Sequence, residues 1–175
     1  MIAVTGIGPR CGTSFVMREL KKYIPIVGRK FPSWSIKEEN PKGYYEIDRV
    51  IYSQGIPFHK WKNHGVKVWP HVLVKTKPEY ISRIILLERF DTGKQVESTI
   101  RVKNKELEKV PWIKIPDESV PKLIEERKEM VEDYLSFNSD IPVLRIFTED
   151  LNDNLEVIEE FVSLSKRRKY LLELL

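Results

Sequence analysis

The stretch Ile2 to Leu20, IAVTGIGPRCGTSFVMREL, decides how the rest of the chain is read. Ile2 to Thr5 is short and apolar, as a strand buried on both faces tends to be. Gly6, Gly8, Pro9, Arg10 and Gly12 interrupt it. Met17, Leu20 and Ile24 then recur at spacings of three and four, one face of a helix that has to end before Pro25. Strand, glycine-rich loop, helix is an order that leaves unpaired backbone N–H groups at the positive end of a helix dipole, where phosphate or sulfate binds. The glycines let the backbone approach an anion, and Thr13 and Ser14 add hydroxyl donors.

The remaining pattern alternates. Ile26 to Asn40 is polar and without a clean period, so it reads as mostly loop, and Ile47, Val50, Ile51 and Gln54 suggest a short helix closed by Gly55. Val66 to Trp69 reads as a short strand and Ile84 to Leu87 as the clearest interior one. A helix is predicted from about Lys94 to Asn104, an irregular connection bracketed by Pro111, Pro116 and Pro121, and a long charged helix over Leu123 to Phe137. Ile141 to Phe147 reads as another buried strand, and Asn152 or Asp153 as the cap of a final amphipathic helix through Leu155, Ile158 and Val162. Strands alternating with helices predict a single α/β domain of three layers, a central mostly parallel sheet with flanking helices.

The 175 residues suffice for one sizeable core. The net charge of +4 is the difference between 30 basic and 26 acidic residues, a mixed surface that suits an anionic ligand and, lacking a basic tract, argues against nucleic acid. The lone Cys11 cannot form an internal disulfide. Without an apolar run near a membrane span or a basic leader, the expectation is a cytoplasmic protein with no membrane partner.

An ATP-binding loop of the form G-x-x-x-x-G-K followed by Ser or Thr does not fit, because Ile7 stands at the first glycine and Thr13 at the lysine. A cysteine phosphatase loop fails too, since Arg18 lies seven residues after Cys11, one too far. GIGPRCGTS instead resembles the 5'-phosphosulfate loop of sulfotransferases that use 3'-phosphoadenosine 5'-phosphosulfate (PAPS). Gly8 or Gly6, Pro9, Arg10, Gly12, Thr13 and Ser14 match, and Cys11 replaces a serine. The resemblance implies a P-loop NTPase-like sulfotransferase fold, with those residues and Cys11 against the co-substrate and Arg10 near the bridge between phosphate and sulfonate. Cys11 reads as a packing residue, with a reactive thiol at the helix start as the alternative.

The family also holds the 3'-phosphate with an arginine after the third strand and a serine on the next helix. IILLERFDTGKQVES supplies Arg89 and Ser98, at a spacing of nine, one residue more than the family's usual separation. Unless the turn absorbs that residue, Glu97 or Thr99 would face the ligand. NPKGYYE at Asn40 to Glu46 and the Glu149-Asp150-Leu151 segment before the last helix are similar to further parts of the family, the latter in a supporting role.

Sulfuryl transfer to a hydroxyl or amine requires removal of the acceptor's proton, and His or Glu is the usual agent. Glu46 is the first choice and His71, in VKVWPHVLV after Lys67, the second. Glu46 can equally belong to the first turn of a helix starting near Ile47, and His71 to a surface helix start. The implied reaction releases PAP, needs no metal, and takes a small-molecule or glycan acceptor; the short acceptor side leaves room for completion by a second subunit. An atypical P-loop nucleotide or nucleoside kinase and a non-catalytic nucleotide-binding module of the same fold are the competing readings.

Overall fold

The computed structural model describes residues 1–8, 10–31, 40–47, 57–109 and 116–172. Strand β1 (Ile2–Gly6) is buried at every position. It lies between β3 (Gly65–Lys67) and β4 (Arg83–Glu88), and both run parallel to it. β2 (Ile26–Val27) pairs with β3 and β5 (Val143–Phe147) with β4, again in parallel. The sheet is therefore five-stranded and all-parallel, in the order β2-β3-β1-β4-β5.

Side chains alternate across this sheet because the strand period is two. Ile2, Val4, Ile85 and Leu87 face α1 (Thr13–Leu20) and α5 (Leu155–Leu172), meeting Val16, Met17, Leu20, Ile158 and Val162. Ala3, Val66, Ile84 and Leu86 point the other way, into a cluster with Leu73 of α2 (Pro70–Leu73) and Ile124, Val131 and Leu135 of α4 (Val120–Phe137). Val96 and Ile100 of α3 (Thr92–Lys109) pack against that second cluster. Two apolar clusters back to back make a three-layer α/β fold, and covering both faces explains why β1 and β4 show no polar alternation.

The elements differ from the sequence expectation where local contacts act. α3 starts at Thr92, earlier than expected, because Asp91 Oδ1 accepts the Lys94 N–H at 2.8 Å and caps the first turn. α4 takes in Pro121, which the sequence assigns to the connection, since a proline in the first helical turn lacks only an N–H that would be unpaired anyway. β5 is an edge strand rather than a buried one: Ile146 alone is buried, and Arg145 points outward to Glu132 and Glu88. Asn154, not Asn152 or Asp153, precedes α5, and its side-chain amide bonds the Asp150 carbonyl. The third strand stops at Lys67, and Trp69 leads into α2 with Pro70 at its first turn. The helix expected over Ile47 to Gly55 and most of the Ile26 to Asn40 loop lie outside the described residues, as does the Pro111 end of the connection. Among the described residues, no helix is long and apolar enough to cross a membrane.

Candidate functional site

From β1 the chain moves to one side of the sheet, to β2 and β3, and then crosses to β4 and β5 on the other. That reversal opens a crevice at the carboxyl end of β1, the place where open parallel sheets bind ligands. The loop between Ile7 and Gly12 starts at this end of β1. Ile7 N–H still bonds the Leu87 carbonyl at 3.0 Å, so the loop leaves the sheet in register with β4.

The loop backbone is unusual. Arg10 and Gly12 both have left-handed backbone angles, φ 67° and 77°. For Arg10 that conformation costs about 1–2 kcal/mol, a strain characteristic of ligand-holding turns. At Gly12 the demand is double, because a Cβ there would also lie 2.5 Å from Leu151 Cδ1. Gly12 occupies the capping position of α1 without a side-chain acceptor, and the first turn carries no acidic residue. The positive end of the α1 dipole therefore has no countercharge from its own turn.

Three of the residues singled out in the sequence meet here. Arg10 Nε donates to Ser98 Oγ at 3.2 Å, and Arg89 Nη1 lies 3.5 Å from the Arg10 carbonyl oxygen. Of Glu97, Ser98 and Thr99, it is Ser98 that turns to the loop; Glu97 is exposed and Thr99 bonds back to the Gln95 carbonyl. Arg89 Nε is held 3.4 Å from Glu149 Oε1, while Glu149 Oε2 accepts the Phe90 N–H at 3.1 Å. The Glu149-Asp150-Leu151 segment thus braces the loop twice, through Glu149 on Arg89 and through Leu151 under Gly12. Pro9 lies outside the described residues.

Cys11 faces inward. Its thiol is buried and accepts from Gln95 Nε2 at 3.1 Å. Burial pushes the thiol up to about 11, against the opposing pull of the Gly8 backbone hydrogen bond. Burial and the raised thiol both favour the packing reading of Cys11 over a reactive thiol.

On the α1 side, Thr13 opens the helix and Ser14 joins a second cluster. Lys67 Nζ reaches Ser14 Oγ at 3.2 Å, the Tyr44 carbonyl at 3.3 Å and Glu46 Oε1 at 2.6 Å, and Ser14 Oγ donates to the same Tyr44 carbonyl at 3.2 Å. Lys67 and Glu46 are both buried, and the ammonium has oxygen acceptors for its donors. Glu46 is fixed from behind by an isolated antiparallel bridge to Arg29, and the preceding Tyr45 has a left-handed φ of 55°. The helix expected to begin near Ile47, whose first turn is the alternative place for Glu46, lies outside the described residues.

His71 stands apart. It is exposed on α2, and no hydrogen bond or ion pair among the described residues joins it to the loop, Glu46 or Lys67. Partial burial first, then the charges of Arg127 and Lys75, hold its imidazole below the ordinary histidine range. The sequence offers Lys67 only as the lysine preceding a possible catalytic His71, not as the partner of Glu46, and gives no site role to Gln95. A lysine inside an apolar strand was the available signal for the first; a glutamine one helical turn before Ser98 was the signal for the second. No group of His, Cys, Asp and Glu able to hold a metal ion occurs among the described residues.

Fold and site together define a three-layer, all-parallel α/β protein with a strained strand-to-helix loop at the switch point of its sheet, ringed by Arg10, Arg89 and Lys67. No protein-family model, curated protein or solved structure matches the chain.

Proposed function

We propose that the chain is a PAPS-dependent sulfotransferase with a P-loop-like loop that binds the 5'-phosphosulfate. The observation that carries this reading is the convergence of Arg10, Arg89 and Ser98 on one loop at the carboxyl end of β1. An ATP site would need a lysine at Thr13, whereas a nucleotide with anionic groups at both its 3' and 5' positions needs cations at two places. Arg10 and Arg89 would supply them.

In the proposed reaction an acceptor hydroxyl attacks the sulfur in line. A new S–O bond forms, the bond from sulfur to the bridging phosphate oxygen breaks, and the electron pair stays on the 5'-phosphate of PAP. Arg10 and the loop amides offset the charge that develops on that oxygen, the kind of stabilisation a preorganised turn performs well. Glu46 is the preferred base: Lys67 holds Oε1, leaving Oε2 to take the acceptor proton. His71 is the weaker candidate because no hydrogen bond or ion pair among the described residues joins it to the loop. The acceptor is a small molecule or glycan, without a role for a metal, nucleic acid or membrane.

One observation favours a second reading. Glu46 is tied to Lys67, and His71 is remote, an arrangement that also suits a module that binds nucleotide without turning it over. PAP at millimolar concentration is expected to raise the melting temperature, and labelled sulfonate from PAPS to reach an acceptor in a broad panel. PAP binding without transfer, unaffected by Glu46→Gln, selects the module. Stabilisation by ATP and not PAP, with magnesium-dependent phosphate transfer, selects a kinase. Arg10→Ala is expected to lower turnover by about 100-fold or more, the range for losing a transition-state donor; unchanged turnover would remove the mechanism's centre.

A further inference from the structure

We propose that Arg127, seated over Trp69, anchors an oxyanion carried by the acceptor, so that the preferred acceptors are acidic ring-bearing molecules such as uronic acid glycosides. The inference rests on the sulfotransferase reading for the word acceptor, but its geometry is independent of it. Trp69 follows β3 at the carboxyl edge of the sheet, and its ring has two cationic neighbours. The Arg127 guanidinium carbon is 5.6 Å from the ring centroid and Lys67 Nζ is 6.0 Å from it. Lys67 in turn touches Ser14 at the start of α1. The indole therefore links the loop side of the crevice to α4, and it is half-buried, with part of its surface open to solvent.

Arg127 lacks what a charged group in such a place normally has. Its Nη1 is shielded from solvent and has no hydrogen-bond partner among the described residues. Stacking on an indole satisfies the face of a guanidinium and leaves its in-plane N–H donors unused. Buried donors without acceptors are rare in folded proteins, and a cation left so is destabilising. Burial alone lowers the Arg127 guanidinium from its ordinary range, and no ion pair among the described residues includes it. A carboxylate or sulfate approaching the open side of the half-buried Arg127 would pair with its charge through the part of the guanidinium edge that solvent reaches, not through the shielded Nη1, while a sugar or aromatic ring rests on Trp69.

The test uses a matched pair of ligands, p-nitrophenyl β-D-glucuronide and p-nitrophenyl β-D-glucoside, titrated calorimetrically into the full chain with PAP present. The glucuronide is expected to bind at least about tenfold more tightly, the range for a charge-assisted contact. Arg127→Gln should erase that preference, bringing the glucuronide to the affinity the same variant shows for the glucoside, and Arg127→Lys should keep part of it, having charge without the fork. Equal binding of the two glycosides by the wild-type chain, no glucuronide binding at about 10 mM, or a preference that survives Arg127→Gln would each overturn the proposal. The two readings fail separately. If PAP leaves the melting temperature unmoved while the Arg127-dependent preference is present, the oxyanion site stands and the PAPS reading falls; PAP stabilisation with no preference gives the reverse.

Discussion

Lys67 carries an ammonium into a strand whose neighbours are all buried, and Glu46 is the only carboxylate bonded to it among the described residues. A buried pair of this kind adds little net stability over an apolar pair, yet removing one partner strands the other. Glu46→Gln or Lys67→Met alone is therefore expected to destabilise the fold by about 3–5 kcal/mol, read as a lowered urea midpoint. The double variant should lose clearly less than the two single losses combined; additive losses would mean that the two groups do not depend on each other. Cys11 makes a pH-dependent prediction. Its thiol titrates at about 11 in the fold against an ordinary 9.0, so the folded state holds the proton more tightly. The contribution is fully present below pH 9 and is lost as pH rises from there through about 11. Two units correspond to about 2–3 kcal/mol, and Cys11→Ala should flatten the fall in stability across that window. A wild-type thiol alkylated rapidly at pH 8 without unfolding would contradict this.

At the scale of elements, the β1–loop–α1 unit is legible in the sequence because its information is local: an apolar run, the glycines, then a helical period. β4 is legible for the same reason. β5 is legible as a strand but not as an edge strand, since the run around Val143 reads alike at the centre or the edge of a sheet, and only Arg145 hints that one face stays wet. The start of α3 turns on Asp91, whose capping bond is a three-residue affair that periodicity overlooks. The Lys67–Glu46 pair spans 21 residues and the Arg10–Ser98 contact 88, so no local pattern contains either; the second was approached only through a family resemblance. The packing of loop on the turn after β5 is equally non-local and equally testable. Gly12→Ala has to pay the left-handed backbone cost of about 1–2 kcal/mol and also push Leu151 aside. Its measured loss should exceed the backbone term alone, and a Leu151→Ala background should recover the excess. If Leu151→Ala leaves the Gly12→Ala loss unchanged, the steric contact is not what the glycine serves.

Across the whole molecule, the carboxyl edge of the sheet is one connected layer. Ile7 bonds Leu87, Thr148 Oγ1 donates to the Glu88 carbonyl at 2.8 Å, Glu149 holds Arg89, and Leu151 lies under Gly12. The opposite edge, where α4 ends and β5 begins, has ties of its own, among them the Met1 ammonium donating to the Tyr80 carbonyl at 2.7 Å and Tyr134 Oη donating to the Thr76 carbonyl at 3.1 Å. A nucleotide whose two anionic groups span Arg10 and Arg89 would tie the loop after β1 to the loop after β4, both of which close the same edge. Amide exchange should then slow together in residues 10–14 and 89–98 when PAP is added, with smaller slowing at 148–151, which touch the ligand's neighbours only. Residues 134–143 at the far edge should show no more than the general rise that follows from stabilising the folded state, about 2.7 kcal/mol with PAP at 100 times its dissociation constant. Local opening and global unfolding contribute separately to exchange, so measurement in the fast-exchanging loops isolates the first from the second. Slowing confined to 10–14 would leave Arg89 and Ser98 without a ligand and reduce the site to a simple anion cradle, because a 3'-phosphate held by Arg89 cannot be bound without ordering the turn that carries it.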